Sequence, residues 1–198
     1  SLNYPVRLPG LHNVRAASCG HNFTLLLLFD GSVMSTGGNQ YGQLGLGDVS
    51  KRNLPVRIPG VPEIIKIACG HSYSLLLDGN GRVFAAGTTK LGALGIETED
   101  VFLSTHQLNQ SLEHNNIIDI CSGSYHSILR DSDNSLWVFG RNDNAQLGLG
   151  DRKTRRIPVQ LSVSGTELYC GGFHSIIRDD NSSLLGAGWN KYGQLEQL

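Results

Sequence analysis

The chain has 198 residues, with 16 Lys and Arg against 17 Asp and Glu, for a formal net charge of -1. That balance leaves no global field to draw it onto nucleic acid or an anionic membrane, so neither direct nucleic-acid binding nor membrane insertion is expected. The longest apolar run, residues 25–29, suits a buried strand and falls far short of the roughly 20 residues that span a bilayer. The 25 glycines recur at fixed places, which marks them as turn residues of a repeat and not as a flexible linker.

In chain order, the first apolar signal is the segment Pro5-Val6-Arg7-Leu8, which returns as Pro55-Val56-Arg57-Ile58 and Pro158-Val159-Gln160-Leu161. Proline has no N–H to give, so each segment reads as a strand at a sheet edge, opening a unit. A short run follows, such as Ile64-Ile65-Lys66-Ile67-Ala68 or Ile117-Ile118-Asp119-Ile120, and then a turn at Gly20, Gly70, Gly123 or Gly171. These glycines step by 50, 53 and 48 residues. Next comes the most apolar strand, beginning at Phe23, Tyr73, His126 or His174.

A hairpin turn follows, built on Asp30-Gly31-Ser32, Asp78-Gly79-Asn80-Gly81, Asp131-Ser132-Asp133-Asn134-Ser135 or Asp179-Asp180-Asn181-Ser182. Gly, Asn and Asp at such places tolerate positive φ. The return strand ends at Gly37, Gly87, Gly140 or Gly188, always 17 residues after the first glycine. A constant 17 inside a drifting period describes a rigid unit on elastic connectors. Short strands at regular spacing mean an all-β chain, and four strands per unit repeated radially mean a β-propeller. The four units, at approximately 1–50, 51–103, 104–153 and 154–198, form a single array. One helix is expected, over residues 105–115 of the longer connector.

Of the four cysteines, Cys19, Cys69 and Cys170 precede the turn glycine and Cys121 stands one residue early. Neither a disulfide framework nor a zinc site has this spacing, so they read as small buried thiols in a reducing, intracellular compartment. No cofactor or metal motif is present. His126-Ser127 and His174-Ser175 invite a nucleophile reading, but a residue pair that recurs once per unit serves the frame. The glycines of residues 42–47 are likewise turn residues: Asp48 follows them where a phosphate loop needs Lys. Asp48 and Asp151, and Arg52 and Arg155, share repeat positions and read as structural.

The tract Gly37-Gly38-Asn39-Gln40-Tyr41-Gly42-Gln43-Leu44-Gly45-Leu46-Gly47-Asp48 recurs as Gly140-Arg141-Asn142-Asp143-Asn144-Ala145-Gln146-Leu147-Gly148-Leu149-Gly150-Asp151. With the Cys-Gly-x-x-His-Ser element it resembles the repeat of the regulator of chromosome condensation family. The resemblance covers essentially the whole chain. It implies a propeller, typically seven-bladed, whose blades share strands between consecutive repeats. The family's founding member is an exchange factor for the GTPase Ran that also docks on nucleosomes. Other relatives are ubiquitin-ligase modules, photoreceptors and traffic factors. Four repeats make a partial ring, or a ring completed by assembly through its unclosed ends.

This chain departs from the pattern. The second unit has Thr89 for Asn, Ala93 for Gln and Glu97 for Gly, and Trp137 and Trp189 sit at unrelated repeat positions, so the tryptophan cluster of a light-sensing relative is missing. Residues outside the repeat consensus are the functional candidates. One set is Arg152, Lys153 and Arg156 in a compact basic loop; the other is Glu97, Glu99, Asp100 and Phe102 in the irregular connector. The expected function is non-catalytic protein interaction, with a small GTPase of the Ran or Rab class as the favoured partner. The alternative is a recruitment module of a larger protein such as a ubiquitin ligase.

Overall fold

The computed structural model of the chain describes residues 3–4, 6–8 and 11–196. Among these residues fifteen strands form four antiparallel meanders, set side by side as blades. Blade one holds β1 (Val14–Cys19), β2 (Phe23–Leu28), β3 (Val33–Gly37) and β4 (Arg52–Arg57), in that spatial order. Blade two holds β5 (Ile64–Cys69), β6 (Tyr73–Asp78), β7 (Val83–Thr88) and β8 (Phe102–Leu108). Blade three holds β9 (Ile117–Ser122), β10 (His126–Asp131), β11 (Ser135–Gly140) and β12 (Arg155–Ser164). Blade four holds, among the described residues, three strands, β13 (Glu167–Cys170), β14 (His174–Arg178) and β15 (Leu184–Gly188). Among the described residues the sheets do not close on one another, so these four blades form an arc.

The hairpin turns form as their chemistry predicts. The Asp78 carboxylate accepts from the N–H groups of Asn80 and Arg82, and Asp131 does the same for Asp133 and Ser135. The core lies between blades, not within them. Leu25, Leu27 and Val33 of blade one pack on Ile67 and Leu76 of blade two. Leu75, Leu77 and Val83 of blade two meet Leu129 and Phe139 of blade three, and Ile128, Leu136 and Val138 meet Ile177 of blade four.

A polar frame runs through this apolar packing. The buried Tyr73 hydroxyl donates to the His126 carbonyl at 2.7 Å and lies 2.8 Å from Ser127 Oγ, one blade on. His126 Nε2 repeats the reach, meeting Ser175 Oγ at 2.9 Å. The recurring serines also donate back: Ser74 Oγ to the Gln43 carbonyl and Ser175 Oγ to that of Gln146, each at 2.8 Å. The turn glycine makes this possible. A Cβ at Gly70 would stand 1.8 Å from the Tyr73 ring, and one at Gly123 would stand 2.1 Å from the His126 ring. The ring folds back over the glycine and thereby points into the next blade.

Three expectations need correction. The Pro-Val segments do not open a blade. Pro55 and Pro158 lie in β4 and β12, which pair with β3 and β11 and close the preceding sheet at its outer edge, where a missing N–H costs no ladder bond. Of the first such segment, Pro5 lies outside the described residues, and Val6, Arg7 and Leu8 form no strand. Residues 105–115 are not a helix: β8 runs to Leu108, and only the 3-10 turn Gln110–Leu112 follows. Pairing with β7 outcompetes a weak helical pattern, and the Asn109 side chain accepts from Ser111 N–H to start the turn. The thiols are not uniformly buried. Cys69 is covered by Ser18 of the preceding blade, and burial pushes its thiol up to about 12, whereas Cys19 is exposed.

Gly70→Ala is expected to cost about 3 kcal/mol or more, read as a lower urea midpoint, because neither ring nor backbone can yield the missing space. Stability should also depend on acid. Burial lowers His126 from 6.5 to about 4 and His106 to about 3. Below pH 6.5 the unfolded chain binds protons that these rings refuse when folded, so stability falls from pH 6.5 toward 4. His126→Gln should flatten that slope, measured by urea titration at several pH values.

Candidate functional site

Strand direction assigns the loops to two rims. The turns after β1, β5, β9 and β13 share one rim with the long connections that follow β3, β7, β11 and β15. The Cys-Gly turns are stitched together there by backbone hydrogen bonds: His21 N–H donates to His71, His71 N–H to Ser124 and Ser124 N–H to Gly172. Around the axis they border an open concavity of about 260 Å³, lined by Cys19, His21, His71, Ser124 and Gly172 among others.

The long connections carry an Asn-Asp-Arg brace. Asn39 Nδ2 donates to the Asp48 carbonyl at 2.9 Å and Leu44 N–H donates to Asn39 Oδ1, while Arg52 pairs with Asp48 at 2.5 Å. Asn142, Asp151 and Arg155 repeat it, with an ion pair of 2.7 Å. Arg52 and Arg155 hold their aspartates below the usual carboxylate range. These residues are structural, as their repetition implies.

The two candidate sets lie on this rim. Arg152 donates to the Asp143 carbonyl at 3.1 Å, and Lys153 N–H to Asp151. Among the described residues, Arg152, Lys153 and Arg156 enter no ion pair. The connector is anchored by Thr89 Oγ1, which donates toward the Asp100 and Val101 carbonyls, and by Asn109 Nδ2, which donates to Gly95. Asp100 N–H closes a small turn on Thr98 Oγ1, and Phe102 starts β8 half exposed. The structure brings part of both sets together: Arg156, Glu97 and Glu99 line one cavity of about 240 Å³ with Thr89 and Ile96. The backbone of Gly92 seats against Arg155 and Arg156, which places the connector on β12. Arg152 and Lys153 stand outside that cavity.

Sequence reasoning missed a row of rings across the same rim. His21 stacks on His71 at 4.2 Å between centroids, and His71 on Tyr125 at 5.2 Å. Arg141, paired with Asp143, lies 5.1 Å over the Phe173 ring. Phe173 meets Trp189 edge-on, and Trp189 meets Tyr192. Trp137, in contrast, donates from Nε1 to Asp131 at the opposite rim. The signal available in the sequence was variation: these positions lie one or two residues past the first glycine, or one or four past the second, and differ from unit to unit.

Radial blades, ring-over-glycine turns and braced loops define a β-propeller built from internal repeats. The chain belongs to the family of the Regulator of chromosome condensation (RCC1) repeat. It matches that repeat over residues 30–77 and 133–177, and a second form of it over 14–43, 117–146 and 166–194. It is 30% identical to the ultraviolet-B receptor UVR8 of Arabidopsis thaliana over 197 residues, covering 96% of this chain and 33% of that protein. It is 55% identical over 40 residues to the human X-linked retinitis pigmentosa GTPase regulator, covering 20% of this chain and 4% of that one. The crystal structure of Prp20p from Saccharomyces cerevisiae superposes with a TM-score of 0.80 at 21% identity, over 94% of this chain and 48% of its own. The chain thus spans a third of UVR8 and about half of the Prp20p chain.

Proposed function

We propose that this chain is a non-catalytic protein-interaction propeller whose ringed rim grips a small GTPase of the Ran or Rab class. The observation that carries it is the composition of one rim. Partly exposed His, Tyr, Phe, Trp and Arg side chains run across four blades, beside three arginine and lysine side chains without ion-pair partners. Aromatic residues and Arg are the groups enriched where proteins bind one another. Two relatives favour the GTPase: one is named a GTPase regulator, and Prp20p was studied for its binding to Gsp1p and histones. Histone or nucleosome binding fits less well, because phosphate contact dominates such affinity and the net charge here is -1.

The His-Ser pairs play no part in this reading, since His126 and Ser175 are buried against each other. Any exchange activity would act by remodelling the GTPase, with no bond made by the propeller. We place the protein inside the cell, in cytoplasm or nucleus. The second reading is a recruitment module of a larger protein such as a ubiquitin ligase.

The test is light scattering on the chain mixed with Ran loaded with GDP or GTP. A one-to-one complex is expected. Tyr125→Ala and the charge reversal Arg152→Glu with Arg156→Glu should each weaken it by at least about tenfold, or about 1.4 kcal/mol. Unchanged thermal melting would show that the variants remain folded. No complex in either nucleotide state would sink the GTPase reading and move the search to adaptor partners.

A further inference from the structure

The seams between the described blades bring equivalent residues together just ahead of the turn glycines. The residue one place before the glycine of a blade sits on the residue two places before the glycine of the preceding blade. At the seam of blades one and two, Cys69 N–H donates to Ser18 Oγ at 3.0 Å, and the Cys69 thiol donates to the Ser18 carbonyl at 3.3 Å. The same spacing sets Ser122 against Ala68 at the next seam and Cys170 against Cys121 at the third. Cys121 stands one residue early and so breaks the cysteine column of the repeat. That displacement is what brings a second sulfur to the seam of blades three and four.

The contact is present in the fold. β13 packs on β9, the two strands that carry these residues. The Cys170 thiol and the Cys170 N–H both point at the Cys121 sulfur, as Cys69 N–H points at Ser18 Oγ. Leu25 N–H reaches the Cys69 sulfur, and Ile128 N–H, at the same repeat position, reaches that of Cys170. Both cysteines are half-buried, and Cys170 lines the axial concavity with Ser122, Ser124 and Gly172. The two thiols differ chemically. The hydrogen bond from Cys170 holds the Cys121 thiol below its usual range, while giving that bond, together with burial, pushes Cys170 up. One sulfur is thus ready to ionise beside another that keeps its proton, which is the division a nucleophilic and a resolving thiol need. Cys69, in the equivalent place, meets only a hydroxyl and a carbonyl.

We propose that Cys121 and Cys170 are a redox modification site, converted by hydrogen peroxide into a reversible disulfide between blades three and four. The Cys121 thiolate attacks one peroxide oxygen. The O–O bond breaks, and the departing hydroxide takes up the proton that Cys121 had lost and leaves as water. Cys121 then carries a sulfenic acid. The Cys170 sulfur displaces its hydroxyl, the S–S bond forms, and the Cys170 proton leaves with that hydroxyl as a second water. Two thiols and one peroxide give one disulfide and two waters. A dithiol reductant reverses the bond by thiol–disulfide exchange, so it is transient, as such bonds are in reducing compartments. The consequence falls on the rim. Tyr125 and Phe173 lie in the turns that directly follow the two cysteines, so the cross-link fixes the spacing of two members of the ring row.

The experiment treats the reduced chain with a small excess of hydrogen peroxide. The chain should lose two of its four titratable thiols, and peptide mapping without reductant should join the peptides that hold Cys121 and Cys170. Dithiothreitol should restore both thiols. Cys170→Ser should leave Cys121 as a sulfenic acid that dimedone traps. Cys121→Ser should abolish the disulfide and slow thiol loss at least about tenfold. Both variants should fold, because the repeat already holds serine at those places in Ser18 and Ser122. Cys69→Ser should react as the unaltered chain does. Oxidation should raise the urea midpoint, since the bond closes a long loop of the unfolded chain, and that shift should vanish in Cys121→Ser and Cys170→Ser. Retention of all four thiols overturns the proposal. So does a disulfide mapped to Cys19, to Cys69 or between two chains, and so does unchanged oxidation of Cys121→Ser.

Discussion

Each seam between the described blades depends on a ring folded back over a glycine of its own blade: Phe23 over Gly20, Tyr73 over Gly70 and His126 over Gly123. The glycine removes the Cβ that would strike the ring, the ring fills the space, and the polar ends of Tyr73 and His126 find a carbonyl or a serine across the seam. A buried phenol or imidazole without such a partner would cost several kcal/mol, so the same groups that allow the correct neighbour penalise any other spacing. Apolar packing between blades supplies the bulk of the stabilisation. The polar frame sets the angle and depth at which one blade meets the next, and through them the curvature of the arc.

The frame was legible in the sequence because it repeats. Four glycines at steps near fifty, each followed 17 residues later by another, leave few architectures, and the Asp-Gly and Asp-Asn turns gave the hairpins directly. What failed was the assignment of strands to blades. A strand such as β4 lies nearer in sequence to β5 than to β3, and only the ladder reveals that it closes the earlier sheet. The helix expected over 105–115 failed for a related reason: local propensity is weak, and the free edge of β7 was stronger. The ion pairs of Asp48 and Asp151 followed the expectation that repeated residues are structural.

The candidate site was legible only in part. Unpaired charges stand out against a consensus, so Arg152, Lys153, Arg156 and the acidic connector could be picked by subtraction. Sequence gave no means of seeing that Arg156 of one blade and Glu97 and Glu99 of another border one cavity, since that depends on how a loop seats on its neighbour's outer strand. The ring row was hidden differently. His21, His71, Tyr125 and Phe173 occupy two adjacent turn positions, so no single column of the repeat is aromatic, and their alignment exists only after the blades fan around the axis.

The seams have a further consequence for motion. Among the described residues, blades two and three are flanked on both sides, while blades one and four have one neighbour each. In an array stabilised by nearest neighbours, opening begins where a unit has least to lose. Amide hydrogens should therefore exchange most slowly in β6 and β10. The two middle blades can stay folded while an outer seam opens.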